Sequence, residues 1–140
     1  MTSFVFRRQL IIEWSHCDPA GIVFNPRFFE FFDTSTWLLF GAAVGVTVEQ
    51  IASTFDIVGV PLVDVRAEFH RPARFGDTIE IASHVSEFRR SSLDVTHRTT
   101  VGGDLAVEAV ETRVWAERDK SDPEKLKAVP IPTAVIAKFG

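Results

Sequence analysis

Residues 26–40 have the sequence PRFFEFFDTSTWLLF, and this segment decides the fold. Its phenylalanine, tryptophan and leucine side chains would cover most of the circumference of a helix, which is too wide a stripe for an ordinary surface helix. We therefore predict a helix that other structure covers on most sides. Pro26 suits the first helical position, where its missing N–H would have no partner anyway. Gly41 and Gly45 mark the expected end.

Strand patterns lie on both sides of this helix. Before it, apolar residues fall on alternate positions, which predicts a half-buried first strand; they are Phe4, Phe6, Leu10, Ile12 and Trp14. After it, Thr47-Val48-Glu49-Gln50 matches a capping box and predicts a short second helix through Thr54. Alternation and turn signals then predict further elements. These are strands over residues 62–69, 78–85, 93–101 and 105–117, an extended piece over 126–131 and a tail helix over 133–139.

One apolar helix, with one strand before it and four long strands after it, predicts an α+β domain. A single antiparallel sheet of about five strands would curl around the helix in that arrangement. The chain has 140 residues, which is most simply one domain over residues 1–140. A domain of this size can bury an apolar core without metals or disulfides.

Composition excludes several classes of function. The net charge of -4 argues against general nucleic-acid binding. The single cysteine, Cys17, rules out an intrachain disulfide and a Cys-rich zinc site, and it fits a cytoplasmic protein. His70, His84 and His97 lack the spacing of metal ligands, so we expect no metal. Residues 1–9 lack the pattern of a signal peptide, and no apolar run reaches the roughly 18 residues of a membrane span.

The loop before the helix carries the clearest chemical signal. It runs His16-Cys17-Asp18-Pro19-Ala20-Gly21-Ile22-Val23-Phe24-Asn25-Pro26. The short length of this loop, its proline and its glycine restrict where the Asp18 carboxylate can lie. The helix start that follows offers unpaired N–H groups and the positive end of a dipole. A fixed carboxylate facing such donors suits acyl transfer. The same spacing also suits an aspartate that only accepts backbone hydrogen bonds in an Asx turn, and this alternative stays open.

The motif Cys17-Asp18-Pro19-Ala20-Gly21-Ile22-Val23 resembles the active-site loop of the 4-hydroxybenzoyl-CoA thioesterase family, a branch of the hotdog-fold acyl-CoA thioesterases. Two further segments resemble the same family, FHRPARFGD at residues 69–77 and FRRSS at 88–92, so the resemblance spans nearly the whole chain. It implies a hotdog fold and hydrolysis of an aryl- or other bulky acyl-CoA to the free acid and CoA. It implies no metal or redox cofactor.

The resemblance also implies roles for the loop. Asp18 would be the essential carboxylate, which either attacks the thioester carbonyl or activates water to do so; the sequence leaves both routes open. The backbone N–H of Asn25 would bind the thioester oxygen. Asn25 stands where the family has an aromatic residue, so a side-chain contact to an aromatic acyl group would be lost. A simple helix N-cap is the alternative for Asn25.

For the acyl pocket, the resemblance implies an aromatic wall with one polar group. Asp33 would lie near the hydroxyl of a substrate ring, with a helix-face carboxylate that meets solvent or a partner subunit as the alternative. The 59–61 segment would approach the thioester from the partner subunit, unless it is merely a bend before a strand. The phenylalanines could instead simply pack the core. The predicted pocket residues are Phe24, Phe28, Phe29, Phe32, Asp33, Gly59, Val60 and Pro61.

Basic residues complete the predicted site. Arg89, Arg90 and Lys127 would bind the CoA phosphates, although arginines at a strand end can also be solvated surface charges. Ser91 replaces a further lysine of the family. The resemblance implies a homodimer with the active site at its interface, and two dimers in a homotetramer.

The residues themselves leave three other catalytic side chains open. His16 would allow a His–Asp dyad, Cys17 a thiol nucleophile and Glu30 a helix carboxylate, all less favoured than Asp18. An enoyl-type dehydratase on the same fold, or a non-catalytic module that binds an acyl-CoA, are the alternative functions.

Overall fold

A five-stranded antiparallel sheet packs against one long helix in this computed structural model, which describes residues 4–140. The strand order is β1-β3-β4-β5-β2, and a separate pair is formed by β6 and β7. This architecture confirms the α+β class and the hotdog arrangement. The elements are β1 (Phe6–Ile11), α1 (Pro26–Val44), α2 (Ile51–Phe55), β2 (Leu62–Phe69), β3 (Thr78–Phe88), β4 (Ser92–Val101), β5 (Asp104–Val114), β6 (Ala116–Arg118), β7 (Leu126–Ala128) and α3 (Thr133–Ala137).

Two predicted strands differ most from the observed ones, the first strand of the chain and the strand predicted over residues 105–117. β1 ends at Ile11, because the Glu13 backbone N–H donates to Nδ1 of His16 and turns the chain into a 3₁₀ segment. The predicted 105–117 strand is two strands, since the Trp115 N–H donates to Ser91 and leaves the β5 ladder. The described residues begin at Phe4. Residues 1–3, which belong to the 1–9 segment that lacks the pattern of a signal peptide, lie outside them.

Both halves of α1 are covered by apolar side chains, as the wide stripe predicted. Phe28, Phe31 and Phe32 pack in one cluster with side chains from β3 and β5. Leu39 and Phe40 pack in a second cluster, with Trp115 and with Phe139 at the C-terminal end. The helix ends at Val44, between the two glycines that mark its expected end, with Gly45 in the left-handed conformation as its cap. Within residues 4–140 no single helix has the length and apolar composition to cross a membrane; α1 and the Val48–Phe55 segment meet that test only as a bent pair.

A buried polar cluster joins α1 to the sheet between the two apolar clusters. Thr36 on α1 donates to Oε1 of Glu111 on β5 at 2.5 Å, and Nε2 of His97 on β4 lies 3.0 Å from the same oxygen. The other ring nitrogen of His97 lies 2.6 Å from the Ser83 hydroxyl on β3. Glu111 also forms two hydrogen bonds with the guanidinium of Arg113. Since a buried polar group without a partner costs free energy, these contacts fix the rotation of α1 over the sheet.

The environment of Glu111 makes the stability of the fold depend on pH. Burial alone would raise the pKa of this carboxyl, but hydrogen bonds and charge from His97 and Arg113 outweigh burial and lower its pKa from 4.5 to about 2. A carboxyl whose pKa is lowered by folding stabilises the protein fully above its unfolded pKa. That contribution is lost as the pH falls towards the folded pKa.

We expect this carboxyl to contribute on the order of 3 kcal/mol to the free energy of unfolding at neutral pH, and to lose that contribution between about pH 5 and pH 2. Denaturant titrations of the unmodified protein and of Glu111→Gln across this range measure it. The variant should be less stable at pH 7 and should show a flatter pH dependence. Glu108→Gln, which removes a carboxylate from an exposed pair with Arg98, is the control. Parallel curves for Glu111→Gln and the unmodified protein would contradict this expectation.

Candidate active site

Asp18 is held by its own loop through three hydrogen bonds. Its backbone N–H donates to Ile22 at 3.0 Å, and its carbonyl accepts from Gly21 at 2.9 Å. One side-chain oxygen, Oδ1, accepts the Ala20 N–H at 2.8 Å, so the Asx turn considered above is present. The second oxygen, Oδ2, has no hydrogen-bond partner within residues 4–140. The turn therefore orients the carboxylate and leaves one oxygen available to a ligand.

The rest of the loop is tied to the chain that precedes β3. Val23 donates to Ala73 at 2.9 Å, Phe75 donates to Gly21 at 3.0 Å, and Ile22 and Arg74 form an isolated bridge. Backbone hydrogen bonds of this kind fix the loop relative to the sheet. The segment FHRPARFGD, which the sequence associated with the family, thus supports the loop that carries Asp18.

The start of α1 offers an unpaired donor beside this loop. Asn25 occupies the N-cap position of α1, as the alternative predicted, but its backbone angles are helical and its side chain forms no capping hydrogen bond. Its backbone N–H donates to no group in the part of the chain that the structure describes. Asn25 lines a cavity of about 200 Å³, together with Phe28, Phe69 and Ala73. The helix N-terminus places its partial positive charge at this cavity.

The three alternative catalytic residues do not contact Asp18. His16 accepts the Glu13 N–H at Nδ1, and its ring packs edge-on against Phe31. The thiol of Cys17 donates weakly to the Glu13 carbonyl at 3.5 Å. Glu30 is exposed and paired with Arg27. No His–Asp dyad or activated thiol is formed within residues 4–140.

The predicted aromatic wall is divided between surface and core. Phe24 is exposed, and Phe29 is half-buried with its ring edge-on to Phe69. Phe28 is buried, and the small exposed part of its ring lines the cavity beside Asn25. Phe32 is fully buried and stacks on His97, with ring centroids 4.9 Å apart. Phe32 therefore packs the core, as the alternative for these residues predicted, and leaves Phe24, Phe28 and Phe29 nearest to the loop.

Arg113 joins Asp33 to the 59–61 segment. Its Nη2 donates to Oδ1 of Asp33 at 2.8 Å, and its Nη1 donates to the Val60 carbonyl at 3.0 Å. Gly59 has φ +155, and a Cβ there would lie 3.1 Å from the Trp37 ring, so this approach requires glycine. Burial alone would lower the pKa of Arg113, but Glu111 and Asp33 outweigh it and raise the pKa. Arg113 thus brings the Asp33 carboxylate and the Val60 carbonyl together.

Arg113 and Glu111 were not among the residues predicted from the sequence. Both lie on the buried face of β5, two residues apart, whereas a strand that covers a helix normally presents apolar side chains there. A Glu and an Arg on the same face of an otherwise apolar strand were the signal. Charged side chains that are almost fully buried are rare unless they are paired.

The three predicted CoA-binding residues differ in their surroundings. The guanidinium of Arg89 contacts Asp94 at 2.6 Å and Glu87 at 3.1 Å, and these partners occupy it. Arg90 is exposed and forms no ion pair within residues 4–140. Lys127, on β7, is also exposed, and the Ile131 N–H holds the chain after β7 against the carbonyl of Arg90 at 2.8 Å. Arg90 and Lys127 are therefore the cations available to a ligand.

Within one chain, the Asp18 loop and these cations lie at opposite ends of the sheet. The loop is attached next to the start of β3, whereas Arg89 and Arg90 follow its end. An 11-residue strand such as β3 spans about 33 Å.

Comparison with known proteins agrees with this geometry. Residues 12–139 match the thioesterase-like superfamily. The 4-hydroxybenzoyl-CoA thioesterase of Pseudomonas sp. (strain CBS-3) is 35% identical over 133 residues, covering 91% of this chain and 92% of that protein. Acyl-CoA thioester hydrolase YbgC of Escherichia coli O157:H7 is 22% identical over 139 residues, covering 99% of this chain and 98% of that protein.

Solved structures give the same relationship. An Asp-to-Asn variant of 4-hydroxybenzoyl-CoA thioesterase in complex with 4-hydroxybenzoyl-CoA superimposes with a TM-score of 0.88 at 30% identity, covering 99% of this chain and 100% of that one. The structure of the enzyme from Pseudomonas sp. strain CBS-3 gives a TM-score of 0.86 at 32% identity, covering 97% of this chain and 99% of that one. The chain therefore belongs to the thioesterase-like superfamily and, within it, to the 4-hydroxybenzoyl-CoA thioesterase family of hotdog-fold acyl-CoA thioesterases.

Proposed function

We propose that this protein hydrolyses an aroyl-CoA with a polar ring substituent, of the 4-hydroxybenzoyl-CoA kind, to the free acid and CoA. The observation that carries the proposal is that one loop bears two groups that are free to meet a ligand. Oδ2 of Asp18 and the backbone N–H of Asn25, at the start of α1, both lack a partner within residues 4–140. Ile22, whose carbonyl accepts the Asp18 N–H, and Asn25 both line the cavity of about 200 Å³. A carboxylate and an oxyanion donor are the groups that thioester hydrolysis needs.

In the proposed reaction, the thioester oxygen accepts the N–H of Asn25. Negative charge that develops on this oxygen is stabilised by that donor and by the dipole of α1. In one route, Asp18 attacks the acyl carbon, the C–S bond breaks and CoA leaves as thiolate, after which water hydrolyses the acyl–aspartyl anhydride. In the other, Asp18 removes a proton from a water molecule that attacks the same carbon. Both routes give the same products.

The proposal includes a homodimer formed through β2, which is an edge of the sheet. Unpaired backbone groups on an edge strand are suited to pairing with another strand. Val63 on β2 is 60% exposed and Phe69 is also exposed, so this edge carries apolar side chains that a second copy would cover. Antiparallel pairing of two β2 strands would set the Phe69 end of one copy against the Leu62 end of the other.

Such a dimer would complete the site. The Asp18 loop and the Asn25 cavity lie towards the Phe69 end of β2, while Asp33 and Val60 lie towards the Leu62 end. One copy would thus supply the reacting groups and the other copy the acyl-pocket wall and the CoA-binding cations. The association of two such dimers into a homotetramer is supported by the family resemblance alone.

Replacing Asp18 tests the chemistry directly. We expect Asp18→Asn to keep the fold and to lower the rate of CoA release by about 10²–10⁴-fold, the usual scale for losing a positioned base or nucleophile. The measurement is steady-state hydrolysis of 4-hydroxybenzoyl-CoA, with circular dichroism as the test of folding. A folded variant with near-normal turnover would overturn the mechanism.

A matched control separates catalysis from a role in the turn. Asp119 accepts the Ser121 N–H at 2.8 Å in an Asx turn like that of Asp18, on an exposed loop. Asp119→Asn should therefore leave kcat unchanged, and kcat is compared because Asp119 lies near Lys127, a predicted CoA-binding residue. If both variants lost activity to a similar extent, the carboxylate of Asp18 would not be specifically required.

Phosphate binding is tested by comparing two thioesters of the same acyl group. Arg90→Ala and Lys127→Ala should each raise KM for the CoA thioester by up to about fivefold, the scale of an exposed ion pair, and should leave KM for the acyl-pantetheine unchanged. Arg89→Ala should have a smaller effect, because Asp94 and Glu87 already occupy its guanidinium. Equal effects on both thioesters would make these residues surface charges only.

A further inference from the structure

We propose that Arg113 is a positioning residue for the acyl pocket. It fixes the carboxylate of Asp33 beside the Val60 carbonyl and leaves that carboxylate with an unbalanced negative charge. The pocket would then favour an aroyl group whose far end carries a neutral hydrogen-bond donor, and would reject one that ends in a carboxylate. This inference rests on the proposed function.

The first support is the geometry of the guanidinium. All three of its nitrogens are used: Nε and Nη2 bind Glu111 at 3.1 and 2.9 Å, Nη1 binds Val60, and Nη2 also binds Asp33. The planar fork of arginine holds its partners at fixed angles, which a lysine cannot do. Asp33 and Val60 therefore move together with Arg113.

The second support is the difference in exposure along the cluster. The side chains of Glu111 and Arg113 are 2% and 3% exposed, whereas that of Asp33 is 56% exposed. Arg113 thus lies in the core and contacts the exposed Asp33 from its buried side. Of the two oxygens of Asp33, Oδ1 accepts from Arg113, and Oδ2 has no partner within residues 4–140. An ionised carboxylate only accepts hydrogen bonds, so Oδ2 is an acceptor turned away from the core.

The third support is the balance of charge. Glu111, which the cluster holds ionised, already neutralises the single positive charge of Arg113 in the core. Asp33 is therefore a second carboxylate on a guanidinium whose charge Glu111 already balances. A second carboxylate brought to it would be repelled, while a hydroxyl would be bound.

The fourth support is that the cluster is anchored on α1 at two points. Asp33 and Thr36 are three residues apart and lie on the same side of the helix. Thr36 binds Glu111, and Asp33 binds Arg113. Because both contacts lead to neighbouring positions on β5, the position of Asp33 depends on a network that no substrate touches.

The experiment measures kcat/KM for benzoyl-CoA, 4-hydroxybenzoyl-CoA and 4-carboxybenzoyl-CoA. The unmodified protein should favour the hydroxylated over the plain thioester by at least about tenfold, on the scale of one hydrogen bond to a charged group, and should be slowest with the carboxylated one. Asp33→Asn, which removes the charge, should raise the relative rate of the 4-carboxybenzoyl thioester by about tenfold or more. An unchanged relative rate would overturn the claim about charge.

Positioning is tested by removing Arg113 without leaving a buried charge unpaired. The double variant Arg113→Met/Glu111→Gln makes the pair neutral, a change that buried ion pairs often tolerate. It should lower the preference for the hydroxylated over the plain thioester, measured as the ratio of their kcat/KM values, about fivefold or more. Arg98→Met/Glu108→Gln removes an exposed pair between β4 and β5 and should change nothing.

A folded double variant with an unchanged preference, or a control that loses the preference equally, would overturn the inference. Arg113→Lys keeps the charge but loses the fork, so it should also lose the preference, and it serves if the double variant does not fold; full retention by Arg113→Lys would contradict the positioning role. Failure of the unmodified protein to hydrolyse any of the three thioesters would instead overturn the proposed function.

Discussion

The buried ion pair between Glu111 and Arg113 holds α1 in position on the sheet. Two charges inside the core cost free energy of desolvation, and the cluster offsets that cost only because Thr36, His97 and the Val60 carbonyl satisfy the remaining donors and acceptors. An apolar contact could slide, whereas these directional contacts tie α1 to the sheet in one rotation. The rotation of α1 in turn determines where Asp33 lies.

The same arrangement explains why stability and specificity would be coupled in this protein. Mutation of Glu111 removes a group that no ligand would contact, yet it frees Arg113 to move and leaves a buried charge without its main partner. By contrast, the Asp18 loop is held by backbone hydrogen bonds to residues 73–75 and is independent of the cluster. The carboxylates of Asp18 and Asp33 are thus supported by different parts of the fold.

Local patterns predicted the elements well, because each depends on residues close together in the chain. The width of the apolar stripe predicted the covered helix, and the Cys17–Val23 motif predicted the loop and the family. The breaks at Glu13 and Trp115 were not predictable, since each is made by a contact to a side chain or a distant strand. Arg113 was missed for the same reason. Its importance depends on Asp33, which lies 80 residues away in the sequence.

The most direct test of this account is the position of the substrate in a crystal of the Asp18→Asn variant with 4-hydroxybenzoyl-CoA. We expect the thioester oxygen to lie within hydrogen-bond distance of the Asn25 N–H of one protomer. We also expect the ring hydroxyl to lie within hydrogen-bond distance of the Asp33 carboxylate of a second copy. A thioester carbonyl remote from Asn25, or a ring hydroxyl bound by some other group, would contradict it.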